Sequence, residues 1–338
     1  IAFAILIGVF SRTNKKRSWK RAIHFSQMRH VTKLMAKGGI NTAKAIMGGT
    51  TGDNYCGWVK SKRIAEVSEG VGEGAYLHWI GEKSLGKVLL FFHGGGYSLP
   101  MLPTSFDMLL SFKNDVKSSL GDIGVCVLEY SLTPGSPFPK QLSQANAALM
   151  HLLSSGVSAS DIVLAGDSAG GNLVLQLLSH ILHPLPSIPP PPELSSPLRG
   201  AYMISPWVGM DDSWPSFEQN AEHDIIDPSL YRLFAEEIAA GMTPDLLSWV
   251  RPVSAQQDWW TGLVGVVPSI LVTAGKRECL YDEIDRISTT LKAHVPQLKT
   301  FIEENGVHED LVMAFGAGAG RTAPEYPIAV EWLKTVFA

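Results

Sequence analysis

The stretch LAGDSAGG, residues 164–171, constrains the fold of this chain more than any other part of its sequence. The apolar run DIVLAG before it is typical of a buried strand, and AGGNLVLQLLSHIL after it has the spacing of a helix. A sharp turn between the two lifts Ser168 out of the sheet and requires small neighbours where the backbone passes closely. Ser168 then lies at a helix N-terminus, which favours negative charge that develops beside it. The stretch therefore predicts Ser168 as a nucleophile.

Strand-like and helix-like segments alternate along most of the 338 residues. Continuous apolar runs such as KVLLFFH, IGVCVLEY and SILVTAG are typical of strands that are covered on both faces. Helical patterns such as PKQLSQANAALMHLLSSG and YDEIDRISTTLKAH separate them. This alternation predicts an α/β fold with a mostly parallel central sheet and helices on both faces. Residues 210–260 interrupt the alternation and are expected to form an inserted helical segment.

A serine hydroxyl is a weak nucleophile without a base, and His308 is the candidate for that base. The chain has ten histidines, but His308 follows the strand-like KTFIEENG and lies in NGVHED, a loop before a helix. Serine hydrolases built on parallel sheets carry their histidine in such a loop, late in the chain and after the last strand. We therefore expect His308 to take the proton of Ser168.

An acidic side chain must orient such a histidine, and the segment SILVTAGKRECLYDEI offers several. Glu278 lies nearest the carboxyl end of the strand, from which a short loop can reach His308. Asp282, Glu283 and Asp285 fall on the following helix and are expected to be solvated or to cap it. The sequence favours Glu278 and leaves Asp282 as the alternative.

The stretch LLFFHGGGYSLP, residues 89–100, places three adjacent glycines after a strand-like apolar run. Acyl transfer produces an oxyanion that needs backbone N–H groups pointing at it, and bulky side chains would block their approach. We expect Gly95 and Gly96 to supply such donors, together with the N–H of Ala169. His93 is expected to hold this loop rather than to act as a base.

With these residues in place, the chain resembles the hormone-sensitive-lipase-like branch of the α/β-hydrolases. The matching motifs, in family order over about residues 87–312, are FFHGGGY, EYSLTPGSPFPKQL, GDSAGGNL, ISPWV, AGKRECLYDEI and GVHED. The resemblance implies an α/β-hydrolase fold with a Ser-acid-His site and a helical cap from about residues 26–60 and 210–260. The family usually carries an aspartate as the acid, whereas this chain has Glu278 at the matching position.

The amino-terminal residues 1–25 are expected to be distinct from a hydrolase domain at 26–338. They begin with the apolar run IAFAILIGVF, followed by a basic cluster of Arg12, Lys15, Lys16, Arg17, Lys20 and Arg21. An apolar segment beside basic residues suits anionic lipid head groups, which makes this segment a candidate membrane anchor. The chain's similarity to fungal membrane-associated esterases and deacetylases points the same way. The predicted location is a membrane, with the endoplasmic reticulum as first choice and the cytoplasm as the alternative.

The amino-acid composition indicates which kinds of ligand and partner the chain can bind. A net charge of −4 is no reason to expect nucleic acid, and three distant cysteines without a CxxC pair form neither a disulfide framework nor a zinc site. The predicted insertion and its flanks are enriched in large apolar residues: Trp207, Met210, Trp214, Trp259 and Trp260. A hydrophobic substrate is therefore expected, and the alternative is that these residues pack the cap on the core.

Together these features predict a serine carboxylester hydrolase, an esterase or deacetylase that cleaves a hydrophobic small-molecule ester through a Ser-His-Glu triad and an acyl-enzyme. This chemistry requires no metal or organic cofactor. The first alternative keeps the site but transfers the acyl group or performs a cyclisation or lyase step, as in fungal secondary metabolism. A non-catalytic ligand-binding protein is the least favoured reading, because Ser168, His308 and the HGGG motif are all present.

Overall fold

A computed structural model describes residues 17–338, and the centre of this part of the chain is one eight-stranded sheet. Its strands are β1 Ser68–Gly72, β2 Ala75–Trp79, β3 Val88–Phe92, β4 Gly124–Glu129, β5 Ile162–Asp167, β6 Gly200–Ile204, β7 Ser269–Gly275 and β8 Gln297–Glu303. They lie side by side in the order β1-β2-β4-β3-β5-β6-β7-β8. The pairs β1–β2 and β2–β4 are antiparallel and every other pair is parallel. The predicted mostly parallel sheet is confirmed.

The α-helices between and after these strands cover both faces of the sheet. In chain order they are α1 Trp19–Met47, α2 Thr51–Lys62, α3 Pro103–Leu120, α4 Lys140–Ser154, α5 Ala169–Leu182, α6 Pro215–Asn220, α7 Pro228–Ala239, α8 Leu247–Val250, α9 Leu263–Val266, α10 Tyr281–His294, α11 Asp310–Gly316 and α12 Glu325–Phe337. Alternate residues of β3 show how the faces divide. Leu90 belongs to one buried cluster with α4, α5 and α10, whereas Leu89 belongs to the other with α2, α3 and α12. Both clusters are apolar, which explains why the strands read as continuous apolar runs.

The parallel strands bring the predicted site residues to one edge of the sheet. The HGGG stretch follows β3, Ser168 follows β5, Glu278 follows β7 and His308 follows β8. Because these strands are mutually parallel, their carboxyl ends meet at the same edge, where α/β folds commonly bind ligands.

The first helix of the described chain, α1, packs against α7 and α11. It is bent where Gly39 leaves the helical conformation with φ 74°. Within residues 17–338 no helix combines the length and the apolar character needed to cross a bilayer. Most of the predicted anchor, residues 1–16, lies outside the described residues.

The expectation that the basic cluster faces lipid head groups is wrong for two of its members. Arg17 lies 3.4 Å from the Asp310 carboxylate and donates to the Asn305 carbonyl oxygen at 2.8 Å. Arg21 reaches the other oxygen of Asp310 at 2.6 Å. These two cations therefore hold the start of α1 against the protein, because a buried carboxylate requires a charged partner.

The predicted insertion at 210–260 divides into two parts that pack in different places. Helix α7 lies against α1, whereas the segment that ends with Trp259 and Trp260 packs against α5. The Trp259 indole donates to the Ser179 hydroxyl at 3.1 Å, and Trp260 is fully buried. For these two tryptophans the alternative of packing on the core is therefore the correct one.

Candidate active site

Ser168 occupies the turn between β5 and α5 in a backbone conformation that few residues other than glycine adopt. Its φ is 49° and its ψ −115°, and its N–H donates to the Ile204 carbonyl oxygen at 2.9 Å. Such strained residues persist only where the surrounding structure holds them, and they concentrate at functional sites. A Cβ added to Gly170 would overlap the Phe92 backbone, so the small neighbours in GDSAGG are a steric requirement.

The structure brings Ser168, His308 and Glu278 together in one hydrogen-bonded chain. The Nε2 atom of His308 lies 2.9 Å from Ser168 Oγ, and its Nδ1 atom lies 2.8 Å from Glu278 Oε2. His308 and Glu278 are fully buried, and Ser168 is 5% exposed. The serine, the base and the orienting carboxylate thus have the mutual geometry that nucleophilic catalysis requires.

Of the acidic residues considered for this position, Glu278 is the one that contacts the imidazole. Asp282 instead accepts a hydrogen bond from the Ser216 N–H at 2.8 Å. The expectation that Glu283 is solvated or capping is wrong, because it is fully buried and accepts from the Val208 N–H at 3.0 Å. Glu283 therefore braces the loop after β6 rather than the end of its own helix.

Two further donors act on the Glu278 carboxylate. The Gly275 N–H donates to Oε1 at 2.9 Å and the Ser205 hydroxyl donates to the same oxygen at 3.3 Å. Burial raises the pKa of Glu278, whereas these hydrogen bonds act to lower it. Burial also lowers the pKa of His308, although Asp224 and Asp167 oppose that effect. The imidazole is accordingly neutral at pH 7, as a proton acceptor must be.

The glycine loop after β3 presents unpaired backbone donors beside Ser168. Gly95 and Gly96 have φ values of 97° and 58°, a region in which residues with side chains are strained. Within residues 17–338 the N–H groups of Gly95, Gly96 and Ala169 donate no hydrogen bond. Buried N–H groups are rarely left unpaired, so these three are available for an acceptor that enters the site.

His93 lies in the same loop, but its ring is engaged elsewhere. Its Nε2 atom lies 3.0 Å from Thr51 Oγ1 and its Nδ1 atom 2.7 Å from the Gly94 carbonyl oxygen. The ring stacks on Tyr130, whose hydroxyl donates to the His93 carbonyl oxygen at 2.6 Å. These contacts describe a residue that fastens the loop to its surroundings.

Asp224 supports the site and was not found by sequence reasoning. Its Oδ1 accepts from the His308 N–H at 3.0 Å, and its Oδ2 accepts from the Cys279 N–H at 2.8 Å. One carboxylate from the insertion thus joins the loops that carry His308 and Glu278. No sequence signal marks this role, because the partners are 84 and 55 residues away.

A cleft of about 790 Å³, partly open to solvent, contains Ser168, His308, Gly95 and Gly96. Its outer wall is apolar and comes from the loop before α7, from α7 itself and from α1: Met28, Met35, Met47, Ile225, Ile226, Leu230 and Phe234. Of the five large apolar residues singled out in the sequence, all within the described chain, Trp207 is the one that lines this cleft. Phe234 packs so closely on Gly96 that a Cβ there would overlap its ring.

A family model described as the alpha/beta hydrolase fold matches residues 89–311, which include the glycine loop, Ser168, Glu278 and His308. An acetyl-hydrolase of Streptomyces hygroscopicus is 31% identical over 216 residues, which cover 62% of this chain and 64% of that protein. Steryl acetyl hydrolase 1 of Saccharomyces cerevisiae is 35% identical over 98 residues, which cover 28% of this chain and 22% of that protein. The alignments thus span less than two thirds of either relative.

The solved structures agree with this assignment. An esterase from the bacterial hormone-sensitive lipase family is 25% identical and superposes with a TM-score of 0.70, covering 95% of this chain and 99% of that one. The chain belongs to the α/β-hydrolase family and, within it, to the hormone-sensitive-lipase-like branch.

Proposed function

We propose that the protein is a serine carboxylester hydrolase, an esterase or deacetylase in which Ser168, His308 and Glu278 form the catalytic triad. One observation carries the proposal: the Ser168 hydroxyl lies 2.9 Å from His308 Nε2, beside a loop with unpaired N–H donors. The similarity to proteins named acetyl-hydrolase and steryl acetyl hydrolase supports ester chemistry of this kind.

In the first step, His308 Nε2 removes the proton from Ser168 as Oγ attacks the ester carbonyl carbon. Glu278 accepts the Nδ1–H, which leaves Nε2 free to act as the base and stabilises the imidazolium that forms. The carbonyl oxygen becomes an oxyanion and takes hydrogen bonds from the Gly95, Gly96 and Ala169 N–H groups. Because these donors already stand in place, little reorganisation is required at the moment of reaction.

The intermediate then collapses. The alcohol leaves with the proton that His308 carries, and the acyl group remains on Ser168 as an ester. A water molecule, deprotonated by His308, attacks this acyl-enzyme through a second oxyanion held by the same donors. The acid is released and the Ser168 hydroxyl is restored. The reaction consumes one ester and one water molecule and requires no oxidant or reductant.

The proposed substrate is a hydrophobic small-molecule ester. Methionines from α1 and aromatic and aliphatic side chains from α7 and its preceding loop line the cleft. Met28, Met35 and Met47 are unbranched and flexible, so they can adapt to apolar groups of different shapes. We propose that α1 and α7 form the cap and that the cap selects the substrate.

A comparison of matched esters tests both parts of this proposal. The acetates of 2-cyclohexylethanol and of ethylene glycol differ in the polarity of the alcohol. We expect free acetate as the product from both, with kcat/KM at least about tenfold higher for the cyclohexyl ester. Equal rates would contradict the hydrophobic substrate, and an acetylated acceptor alcohol in place of acetate would favour acyl transfer over hydrolysis.

We also propose that residues 1–25 bind a membrane surface. Trp19, at the start of α1, is 68% exposed, and Lys20 lies beside its ring. An exposed tryptophan next to a lysine suits the interface between head groups and acyl chains. The full chain should float with vesicles that contain anionic lipid, and Trp19→Ala should weaken the binding. Flotation that is equally absent with anionic and zwitterionic vesicles would contradict the proposal.

A further inference from the structure

Glu309, next to His308, is a buried carboxyl group for which the proposed mechanism has no role. Its backbone is left-handed, with φ 51° and ψ 38°, and its N–H donates to Ser205 Oγ at 3.1 Å. This conformation turns the side chain into the cleft, where Oε1 lies 3.9 Å from His308 Nε2. A bulky residue in a strained conformation at a site indicates that its side chain has a task there.

The Glu309 side chain ends beside Gly94, together with the side chain of Asp167. The two carboxyl groups lie close together and shift each other's pKa, and Asp167 Oδ1 accepts from the Gly94 N–H at 2.7 Å. A Cβ added to Gly94 would lie 2.7 Å from Glu309 Oε1 and 3.2 Å from Asp167 Oδ2. Asp167 therefore holds Gly94 by a hydrogen bond, and the Glu309 carboxyl group fills the space that a side chain at Gly94 would need.

Gly94 directly precedes the two proposed oxyanion donors. We propose that Glu309 is a positioning residue: by sharing one proton with Asp167, it holds Gly94 and so keeps the Gly95 and Gly96 N–H groups aimed at the oxyanion. This inference rests on the proposed ester hydrolysis. It assigns to Glu309 a function in the donor loop rather than in the proton transfer at Ser168.

The difference between the pKa values of Glu309 and Asp167 determines which of the two carboxyl groups carries the proton. Burial raises the pKa of both, and the neighbouring Asp167 charge raises the pKa of Glu309 further. Glu309 thus donates and Asp167 accepts, as two close carboxylates cannot both ionise cheaply. The titratable groups that face the pair are His308, Glu278, Asp224, Tyr130 and Tyr231. None of these brings a positive charge at pH 7, since the imidazole is neutral.

If Glu309 has this role, ester turnover should fall as the pH rises and Glu309 and Asp167 lose their shared proton. When the pair loses its shared proton, two adjacent negative charges repel and Gly94 shifts, which moves the donors. Glu309→Gln keeps a donor for Asp167 and cannot ionise. Glu309→Ala removes the contact entirely. A role in packing alone would give both variants the same pH profile as the wild type.

The experiment compares these two variants with Glu304→Gln, an exposed control six residues before the start of α11. Ester turnover is measured from pH 6 to 10, with the inhibition constant of an alkyl boronic acid, whose adduct with serine mimics the oxyanion. Glu309→Ala should lower kcat by about 10²-fold at pH 7, leave KM within about threefold and weaken boronate binding in parallel. Glu309→Gln should keep most of kcat, and its turnover should no longer fall at high pH as that of the wild type does.

Two results would overturn the inference. One is a Glu309→Gln profile that keeps the wild-type alkaline limb, which is decisive even if the alanine variant fails to fold. The other is a folded Glu309→Ala protein with kcat within about twofold of wild type, where loss of an oxyanion donor typically costs far more. Failure of the proposed function is distinct, because it would appear as absent ester turnover in the wild-type protein.

Discussion

Two hydrogen-bonded chains of a serine, a histidine and a glutamate occur in the described residues, and they share residue types and distances but differ in their surroundings. The site chain consists of Ser168, His308 and Glu278, and the edge chain of Ser68, His78 and Glu129. In the edge chain the serine lies 2.8 Å from Nδ1 and the glutamate 2.8 Å from Nε2. The site chain has nearly the same distances with the two ring nitrogens exchanged.

The two chains differ in the surroundings of their serines. Ser68 is exposed in the edge strand β1 and faces His78 across the antiparallel pair with β2. Ser168 is buried in a left-handed turn at the start of a helix, beside unpaired N–H donors. Glu129 also accepts from the Gly52 N–H at 3.0 Å, so the edge chain fastens the start of α2 to the sheet.

The comparison teaches that three residue types at hydrogen-bond distance are not enough for a hydrolytic site. The strained turn, the donors and the enclosing cleft distinguish the site chain, and they come from different elements. We therefore assign catalysis to the site chain and a structural role to the edge chain. The two chains and the glycines beside them can be substituted in matched pairs.

The largest difference is expected when each serine is replaced. Ser168→Ala removes the nucleophile and should lower kcat/KM for a short acyl ester on the order of 10⁶-fold. Ser68→Ala should stay within about twofold of wild type, because surface substitutions rarely propagate to a distant site. The measurement is steady-state hydrolysis with circular dichroism to check folding. A comparable loss in both variants would remove the distinction.

The next difference concerns the glutamates. Glu278→Gln can present its amide N–H₂ to Nδ1, which stabilises the wrong imidazole tautomer and should reduce kcat by about 10⁴-fold. Glu129→Gln should change kcat by less than about threefold, since its contacts act on stability. Asp282→Asn is the second control and should remain near wild type. A severe loss with Asp282→Asn and a mild one with Glu278→Gln would exchange their roles.

A smaller effect on kcat is expected when two glycines with positive φ are replaced by alanine. Gly96 has φ 58° at the donor loop, and Gly72 has φ 89° on β1 with open space around it. Gly96→Ala should displace Phe234 or the loop and lower kcat by about 10²-fold. Gly72→Ala should cost about 1 kcal/mol of stability and spare turnover. Denaturant unfolding alongside kinetics measures both, and an unchanged kcat in Gly96→Ala would contradict the donor assignment.

The smallest effects are opposite pH dependences of stability. Burial raises the pKa of Glu278, so its contribution to stability is complete below pH 4.5 and is lost as the pH rises through the raised pKa. For Glu129, burial acts to raise the pKa, but hydrogen bonds from His78 and the Gly52 N–H outweigh it and leave the pKa lowered. Its contribution is present above pH 4.5 and is lost as the pH falls through the lowered pKa.

Melting temperatures from pH 3 to 9 test these signs. Glu278→Gln should flatten the decline of the melting temperature on the alkaline side, and Glu129→Gln should flatten the decline on the acid side. Each change should amount to a few degrees, as about 1 kcal/mol does in a protein of this size. Parallel curves for wild type and both variants would show that neither carboxylate contributes in this way.

Local sequence patterns were sufficient to predict the fold and the elements that meet at the site. The apolar runs predicted the strands, and chain order placed Ser168, Glu278 and His308 after three of the parallel strands, so their meeting at one sheet edge follows from topology. The steric demands of the turn are also local, because Gly166 and Gly170 are within two residues of Ser168.

The remaining features depend on tertiary contacts that no local pattern encodes. Helical periodicity suggested that Glu283 is solvated, but the loop after β6 folds over it and buries it. The basic character of Arg21 suggested a lipid partner, whereas Asp310 pairs with it across 289 residues of sequence. Part of the apolar wall of the cleft comes from α1, which no motif connects to the site.

The most direct test of the central claim is to find which serine reacts with a fluorophosphonate. Such a reagent phosphonylates only a serine that is activated by a base and lies beside backbone N–H groups that stabilise an oxyanion. After labelling of the full chain, peptide mass mapping should place one equivalent of label on Ser168, with ester turnover lost in proportion and Ser68 unmodified. Label on Ser68, or loss of turnover without label on Ser168, would contradict the assignment of catalysis to the site chain.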